Sequence, residues 1–277
     1  MAELTNQYTL TFEELEKLIA MIKNSTGYDF TGYSRSSLKR RFTRIMMLKR
    51  LSVFDLQHEI INSPEFVRWF IDQVTVNVTE MFRDPHAFKA LKELVFPYLK
   101  SFAHIKIWSA GCATGEEAYS LAILLKLENL YDRSFIYGTD ISNDALQKAR
   151  KGIYNLKKIQ SYIHNFQQYS DEHNLSDYYT VDYNAAAISA ALKSNIFFSN
   201  HNLATDYVFN EFQLILCRNV LIYFNLELQN EVLKLFYDSL SLFGFICLGS
   251  KETMRNFPLK DHFRVISKEY NIYQKIK

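Results

Sequence analysis

The feature that most constrains this chain is the junction spanning residues 105–127. There the apolar run Ile105-Lys106-Ile107-Trp108-Ser109-Ala110 meets the turn Gly111-Cys112-Ala113-Thr114-Gly115 and then a helix from Glu116 to Leu127. A short apolar run bounded by turn residues reads as a buried strand. A strand, a glycine-bearing turn and a helix bring backbone amides and a helix N-terminus together at the carboxyl edge of a sheet, where nucleotide-like ligands bind. The same rhythm recurs downstream. Phe135-Ile136-Tyr137-Gly138-Thr139-Asp140 reads as a second strand ending in an acid, with a helix starting near Ser142. Phe212–Cys217 reads as a third strand, Leu226 to Leu242 as a helix, and Phe245–Leu248 as a fourth strand. Strands alternating with helices predict an α/β doubly wound domain over residues 87–277. The polar, aromatic-rich interval from Tyr154 to Asn195 breaks the rhythm and is read in part as a small antiparallel β insertion at about 172–196. Phe263–Ile266 and Tyr270–Lys275 are read as a terminal hairpin on the sheet edge.

The turn itself narrows the ligand. Its spacing is Gly-x-x-x-Gly, without the third glycine of the dinucleotide fingerprint, and Glu116 and Glu117 follow at once. Two carboxylates at a helix start oppose a pyrophosphate and suit a ligand with a positive end and ribose hydroxyls, which describes S-adenosylmethionine. Asp140 stands where doubly wound folds place the acid that accepts from ribose hydroxyls; on spacing alone it reads equally as a helix N-cap or loop residue.

The first 74 residues differ. Apolar residues recur at helical spacing in Leu15, Leu18, Ile19 and Ile22, and again in Leu38, Phe42, Ile45 and Leu48, predicting an all-α N-terminal domain. Ser52 and Ser63, the latter followed by Pro64, read as helix starts. Residues 75–86 read as the interdomain linker. Arg35, Lys39, Arg40, Arg41, Arg44, Lys49 and Arg50 crowd one stretch without an acid between Ser34 and Phe54, giving either a solvated basic face or a docking surface for an acidic helix.

Composition excludes several classes. A net charge of +2 is too small to argue for nucleic acid. The N-terminus lacks a secretory pattern and no stretch approaches the apolar length of a membrane span, so a cytoplasmic protein without direct membrane insertion is expected. Cys112, Cys217 and Cys247 are odd in number and widely spaced, hence read as reduced and buried. The seven histidines form no ligand-like pair on one helix face, and no metal site is predicted.

Three segments together carry a resemblance: Thr75-Val76-Asn77-Val78-Thr79-Glu80-Met81-Phe82-Arg83-Asp84, Trp108 through Ser120 with its Gly-Cys-Ala-Thr-Gly-Glu-Glu core, and Cys217-Arg218-Asn219-Val220-Leu221-Ile222-Tyr223-Phe224. With Gly138-Thr139-Asp140-Ile141-Ser142, Ala149–Tyr154 and Asn202-Leu203, the sequence resembles the CheR family of chemotaxis-receptor glutamate methyltransferases over nearly its whole length. Departures are Met81, where the family often has Phe, and Ala118, where it often has Pro. The resemblance implies an S-adenosylmethionine-dependent enzyme, releasing S-adenosylhomocysteine, whose partner is the cytoplasmic helical region of chemoreceptor-type proteins. It implies that Asn77, Thr79, Arg83, Gly111, Glu116, Glu117, Asp140, Asn202, Leu203, Arg218 and Asn219 contribute to cofactor binding, and that Arg83 and Tyr223 lie nearest the transferred methyl. It also favours docking of substrate by Arg35, Lys39, Arg40, Arg41 and Arg44. Away from the resemblance, Arg83 reads first as half of an interdomain ion pair with Asp84, and Tyr223 has a second reading as a core aromatic with a wet hydroxyl. A methyltransferase acting on another acceptor, and a cofactor-binding regulator without turnover, share the same expected pocket.

Overall fold

The computed structural model describes residues 9–75, 78–170 and 172–277. These gather into two compact units, the first running to Val76 and adding Ile222–Glu231, the second comprising Asn77–Leu221 and Val232–Lys277.

In the first unit the helices are α1 (Phe12–Thr26), α2 (Arg35–Lys49), α3 (Val53–Asn62) and α4 (Pro64–Val74). Capping fixes their starts. Thr11 and Glu14 form a reciprocal box on α1, Ser52 and Asp55 another on α3, and the Ser63 hydroxyl accepts from the Phe66 amide with Pro64 in the first turn of α4. Each such cap is worth about 1 kcal/mol. α1 buries Leu15, Leu18, Ile19 and Ile22 as its spacing requires. α2 buries Leu38, Arg41, Phe42, Ile45 and Met46, whereas Leu48, read as part of its inward stripe, is 57% exposed. The segment from Ile222 docks on this unit. Tyr33 meets Phe224 edge to face at 4.9 Å, and the Asn225 amide donates to the Gly32 carbonyl at 2.8 Å. Gly32 is required by close approach: a Cβ there would stand 2.7 Å from Leu228 Cδ2.

The second unit contains α5 (Pro85–Leu94), α6 (Phe96–Leu99), β1 (Ile105–Ala110), α7 (Glu116–Leu127), β2 (Ser134–Asp140), α8 (Asn143–Lys151), β3 (Ile153–Asn155), α9 (Leu156–Tyr169), β4 (Tyr179–Asp182), β5 (Ala185–Ile188), β6 (Ile196–Asn200) and β7 (Phe212–Cys217). It closes with α10 (Leu226–Ser239), which begins in the first unit's segment, β8 (Leu240–Leu248), β9 (Phe263–Ser267) and β10 (Ile272–Lys275). Among the described residues, seven strands form one sheet in the order β6-β2-β1-β7-β8-β10-β9, parallel from β6 to β8 and antiparallel beyond. β1 and β7 are neighbours although the chain leaves β1 towards β2 and β6 first. The carboxyl ends of β1 and β7 therefore form the topological switch point of a doubly wound sheet, the place where such folds bind ligands. A second sheet, β3-β5-β4, is antiparallel and small, and it draws its first strand from residues ahead of the expected insertion.

Differences from the sequence reading are local. The helix expected from Phe88 to Leu99 is two, broken at Val95 two residues before Pro97, which lacks the amide a continuous helix would use. α10 stops at Ser239, three residues short, because Leu240 already pairs with Phe212. α9 and β6 lie in or beside the interval read as irregular; α9 buries Ile159, Tyr162, Phe166 and Tyr169. The three cysteines are buried and free. Among the described residues, no helix is long and apolar enough to cross a membrane.

Candidate functional site

The turn after β1 has a demanding backbone. Gly111, Ala113 and Gly115 all adopt left-handed conformations, with φ of 73°, 48° and 91°. Ala113 is the costly one, since a non-glycine residue in that region carries roughly 1–3 kcal/mol of strain. What holds it is Asp140, whose Oδ2 accepts from the Ala113 amide at 2.9 Å while Oδ1 accepts from the Ser142 amide at 2.9 Å. The Gly111 and Cys112 amides both donate to the Thr139 carbonyl, and the Gly115 amide donates to the Cys112 carbonyl. Asp140 is buried at the end of β2, so the acid expected to meet a ribose also fixes the turn. β6 runs beside β2 with Asn200 opposite Asp140, and the His201 amide donates to the Asp140 carbonyl. The chain thus enters Asn202 and Leu203, both half-buried, directly next to the acid. Asn202 shapes its own loop, accepting from the Ala204 amide at 3.0 Å.

The two glutamates of the first helical turn part ways. Glu117 Oε1 accepts from the Ser109 hydroxyl at 2.8 Å, and Oε2 faces Arg218 Nη1 at 3.4 Å. Glu116 is fully buried and turned the other way; it accepts from the Thr114 hydroxyl at 2.6 Å and the Tyr162 hydroxyl at 2.8 Å, with Lys158 Nζ at 3.5 Å. Burial pushes its carboxyl above the usual carboxylate range. Glu116, expected to hold the cofactor, is thereby engaged inside the domain.

Arg218 leaves the end of β7 with a nearly fully buried side chain. Nη2 donates to the Arg83 carbonyl at 2.8 Å and to Asp84 Oδ2 at 2.9 Å, completing with Glu117 a fork between two carboxylates. It is Arg218 rather than Arg83 that pairs with Asp84. Arg83 lies in a turn where Phe82 and Asp84 have φ of 51° and 56°; Phe82 is locked by its amide donating to the Ser120 hydroxyl and by its ring against Phe166 at 4.9 Å. The Arg83 guanidinium reaches the Val78 carbonyl at 3.4 Å. Thr79 is half-buried, and Asn77 lies outside the described residues.

Asn219 follows Arg218 with φ of 64°. Its conformation rests on Glu252, which the sequence reading missed. The buried Glu252 carboxylate accepts from the amides of Gly249, Asn219, Val220 and Leu221 at 2.6–3.0 Å. Burial raises the Glu252 pKa, and the four amides oppose the rise.

In the first unit, Tyr223 is held by its carbonyl, which accepts from the Ser34 amide at 2.8 Å, and by the Arg41 guanidinium lying 4.3 Å over its ring. Arg41, read as part of the exposed basic face, is buried; a guanidinium can leave water here because Tyr223 covers its face and the Val74 carbonyl accepts from Nη1. Arg35 is also no free cation, being tied to Glu16 and to the Thr31 and Tyr33 carbonyls. Lys39, Arg40 and Arg44 remain on the surface, lining with Phe12, Thr43 and Met47 an open groove of about 470 Å³.

Comparison with known proteins gives a consistent picture. Residues 77–272 match the family model for the CheR methyltransferase SAM binding domain, and residues 13–75 match that for the CheR methyltransferase all-alpha domain. A putative methyltransferase, Cher3, of Pseudomonas putida is 41% identical over 95% of this chain and 96% of its own length. Chemotaxis protein methyltransferases of Listeria innocua and Borreliella burgdorferi are each 30% identical, over 85% and 89% of this chain and 88% and 90% of their own lengths.

Proposed function

The chain belongs to the CheR methyltransferase family, and from that premise we propose that it transfers a methyl group from S-adenosylmethionine to glutamate side chains on the cytoplasmic helical region of a chemoreceptor-type protein. The observation that carries the cofactor reading is how the turn after β1 uses its amides. Those of Gly111, Cys112, Ala113 and Gly115 are already bonded within the protein. A pyrophosphate would need such amides, and Glu117 and Asp140 would repel it. The same carboxylates suit an ammonium group and ribose hydroxyls. The donor set thus fits S-adenosylmethionine, with Glu117 at the amino-acid end, Asp140 at the ribose and Asn202-Leu203 at the adenine. Thr79 and Asn77 complete the assignment from the linker.

When bound, the cofactor would supply an electrophilic methyl on a sulfonium, with the neutral thioether as leaving group for a carboxylate oxygen. A glutamate with an ordinary pKa of about 4.3 is ionised at neutral pH, so the chain needs no general base. Its task is alignment, which in well-oriented systems contributes roughly 7–11 kcal/mol. We assign the Arg83 guanidinium to the incoming carboxylate and the Tyr223 hydroxyl to the transferred methyl. The Arg41 guanidinium over its ring restricts where the Tyr223 hydroxyl can lie, which supports the second assignment. Transfer of radiolabel from S-adenosylmethionine to a base-labile ester on a receptor cytoplasmic fragment tests the whole reading; label that resists base would exclude a carboxylate acceptor.

The surface cations of α2 are assigned to the acidic acceptor helix, narrowed to the exposed Arg40 and Arg44 and the half-buried Lys39. Reversing Arg40 and Arg44 to Glu is expected to raise the acceptor KM with cofactor affinity unchanged. The effect should shrink with salt, since exposed charges are screened beyond about 8 Å at physiological ionic strength. A wild-type acceptor KM for the double reversal at low salt would exclude this surface.

A further inference from the structure

The resemblance puts Glu116 among the cofactor ligands, yet its carboxylate is engaged inside the domain. It is the first residue of α7, it has no exposed surface, and its carboxylate bridges Thr114 of the turn to Tyr162 in the middle of α9. A second link runs in parallel: the hydroxyl of Tyr154, in β3, donates to the Thr114 carbonyl at 2.8 Å. Thr114 is therefore gripped at its hydroxyl and its carbonyl from α9 and β3, while its neighbour Ala113 is gripped from β2 by Asp140. Both grips converge on a turn holding three left-handed residues, a backbone that does not maintain itself. Tyr162 is wholly buried and Tyr154 nearly so, hence neither hydroxyl has a solvent alternative, and losing one would leave Glu116 or Thr114 short of a partner.

We propose that Glu116, Tyr162 and Tyr154 are positioning residues that set the cofactor turn through Thr114, making the α9 and β3 excursion a structural part of the cofactor site although none of the three touches the ligand. The inference rests on the reading that the Gly111–Gly115 turn holds the cofactor. It separates Glu116 from Glu117: the first shapes the turn from behind, the second faces the ligand.

The test is calorimetric binding of S-adenosylhomocysteine to the full chain, run well below the melting temperature of each variant. Tyr162→Phe, which keeps the ring and deletes the donor, is expected to raise Kd by about tenfold, equivalent to ~1.4 kcal/mol. Glu116→Ala should do at least as much. Glu116→Gln should stay within about threefold of wild type, because its carbonyl still accepts from Tyr162 and its amide can donate to the Thr114 hydroxyl. A direct ligand would behave otherwise: an ammonium-binding carboxylate is not rescued by Gln, and Tyr162→Phe would be silent. Equal losses for Glu116→Gln and Glu116→Ala overturn the proposal, as does wild-type affinity for Tyr162→Phe. Asp140→Ala separates the two levels. If it weakens binding while Tyr162→Phe does not, the anchor fails and the turn assignment stands; if neither weakens binding, both fail. Should Glu116→Ala not fold, the Tyr162→Phe and Glu116→Gln pair decides.

Discussion

Glu252→Ala is expected to lower stability by about 3–5 kcal/mol, a fall in Tm of roughly 10 °C, and to abolish cofactor binding with it. Four backbone amides converge on the Glu252 carboxylate, two on each oxygen: Gly249 and Asn219 on Oε2, Val220 and Leu221 on Oε1. Alanine would leave these amides in a site where the side chain is almost wholly enclosed. It would also release Asn219 from its left-handed conformation, and with it the turn that carries Arg218. The diagnostic variant is Glu252→Gln. Its amide nitrogen must replace one of the two oxygens, so a donor would face two donors whichever way the group is turned. The glutamine variant should therefore be nearly as damaging as the alanine variant. Thermal melts showing Glu252→Gln within about 1 kcal/mol of wild type would mean that the four amides do not depend on the carboxylate.

The contrast between Glu252 and Asp140 shows where the sequence was legible. Asp140 announces itself by standing at the end of an apolar strand, one strand after a glycine turn, and parallel pairing of β1 with β2 then brings it to that turn. Glu252 has no such local mark. Three of its donors belong to a turn about thirty residues upstream, joined to it only because β7 and β8 lie side by side. The capping residues Ser52 and Ser63 are equally legible, since each acts on an amide three positions on. α9 is hard to read because polar residues interrupt its apolar spacing. Ile159, Tyr162, Phe166 and Tyr169 follow helical spacing, but three are aromatics with partners elsewhere in the chain. Arg41 was misread for a related reason. It lies three residues after Leu38 and four before Ile45, on the buried stripe, and its charge disguised a position that the period assigns to the core. What makes the position tolerable, the ring of Tyr223, comes from a segment 182 residues further on.

Arg218→Met carries the second large expectation, a loss of about 3–5 kcal/mol, because it removes a buried guanidinium and leaves the largely buried Glu117 carboxylate without its cation, the exposed Asp84 adding little. The guanidinium neutralises Glu117 and Asp84, caps the Arg83 carbonyl and lies 5.3 Å from the centre of the Phe88 ring. Methionine would occupy much of the aliphatic volume and supply none of the donors. Arg218→Lys should recover only part of the loss, since one ammonium cannot span two carboxylates and a carbonyl as the fork does. The cluster also makes a prediction that simple packing would not. With Arg218 gone, Glu117 is a poorly hydrated carboxylate without its cation, so Glu117→Gln should cost stability in the wild type yet restore it in the Arg218→Met background. The expected coupling is about 1–3 kcal/mol, measured by chemical denaturation of the two single variants and the double. Cofactor affinity should fall in both backgrounds, and so part from stability only in the Arg218→Met one, because Glu117→Gln removes the carboxylate assigned to the ammonium group. Additive stabilities would show that Arg218 and Glu117 act independently. A restored fold with restored affinity would instead transfer the amino-acid end of the cofactor to some other group.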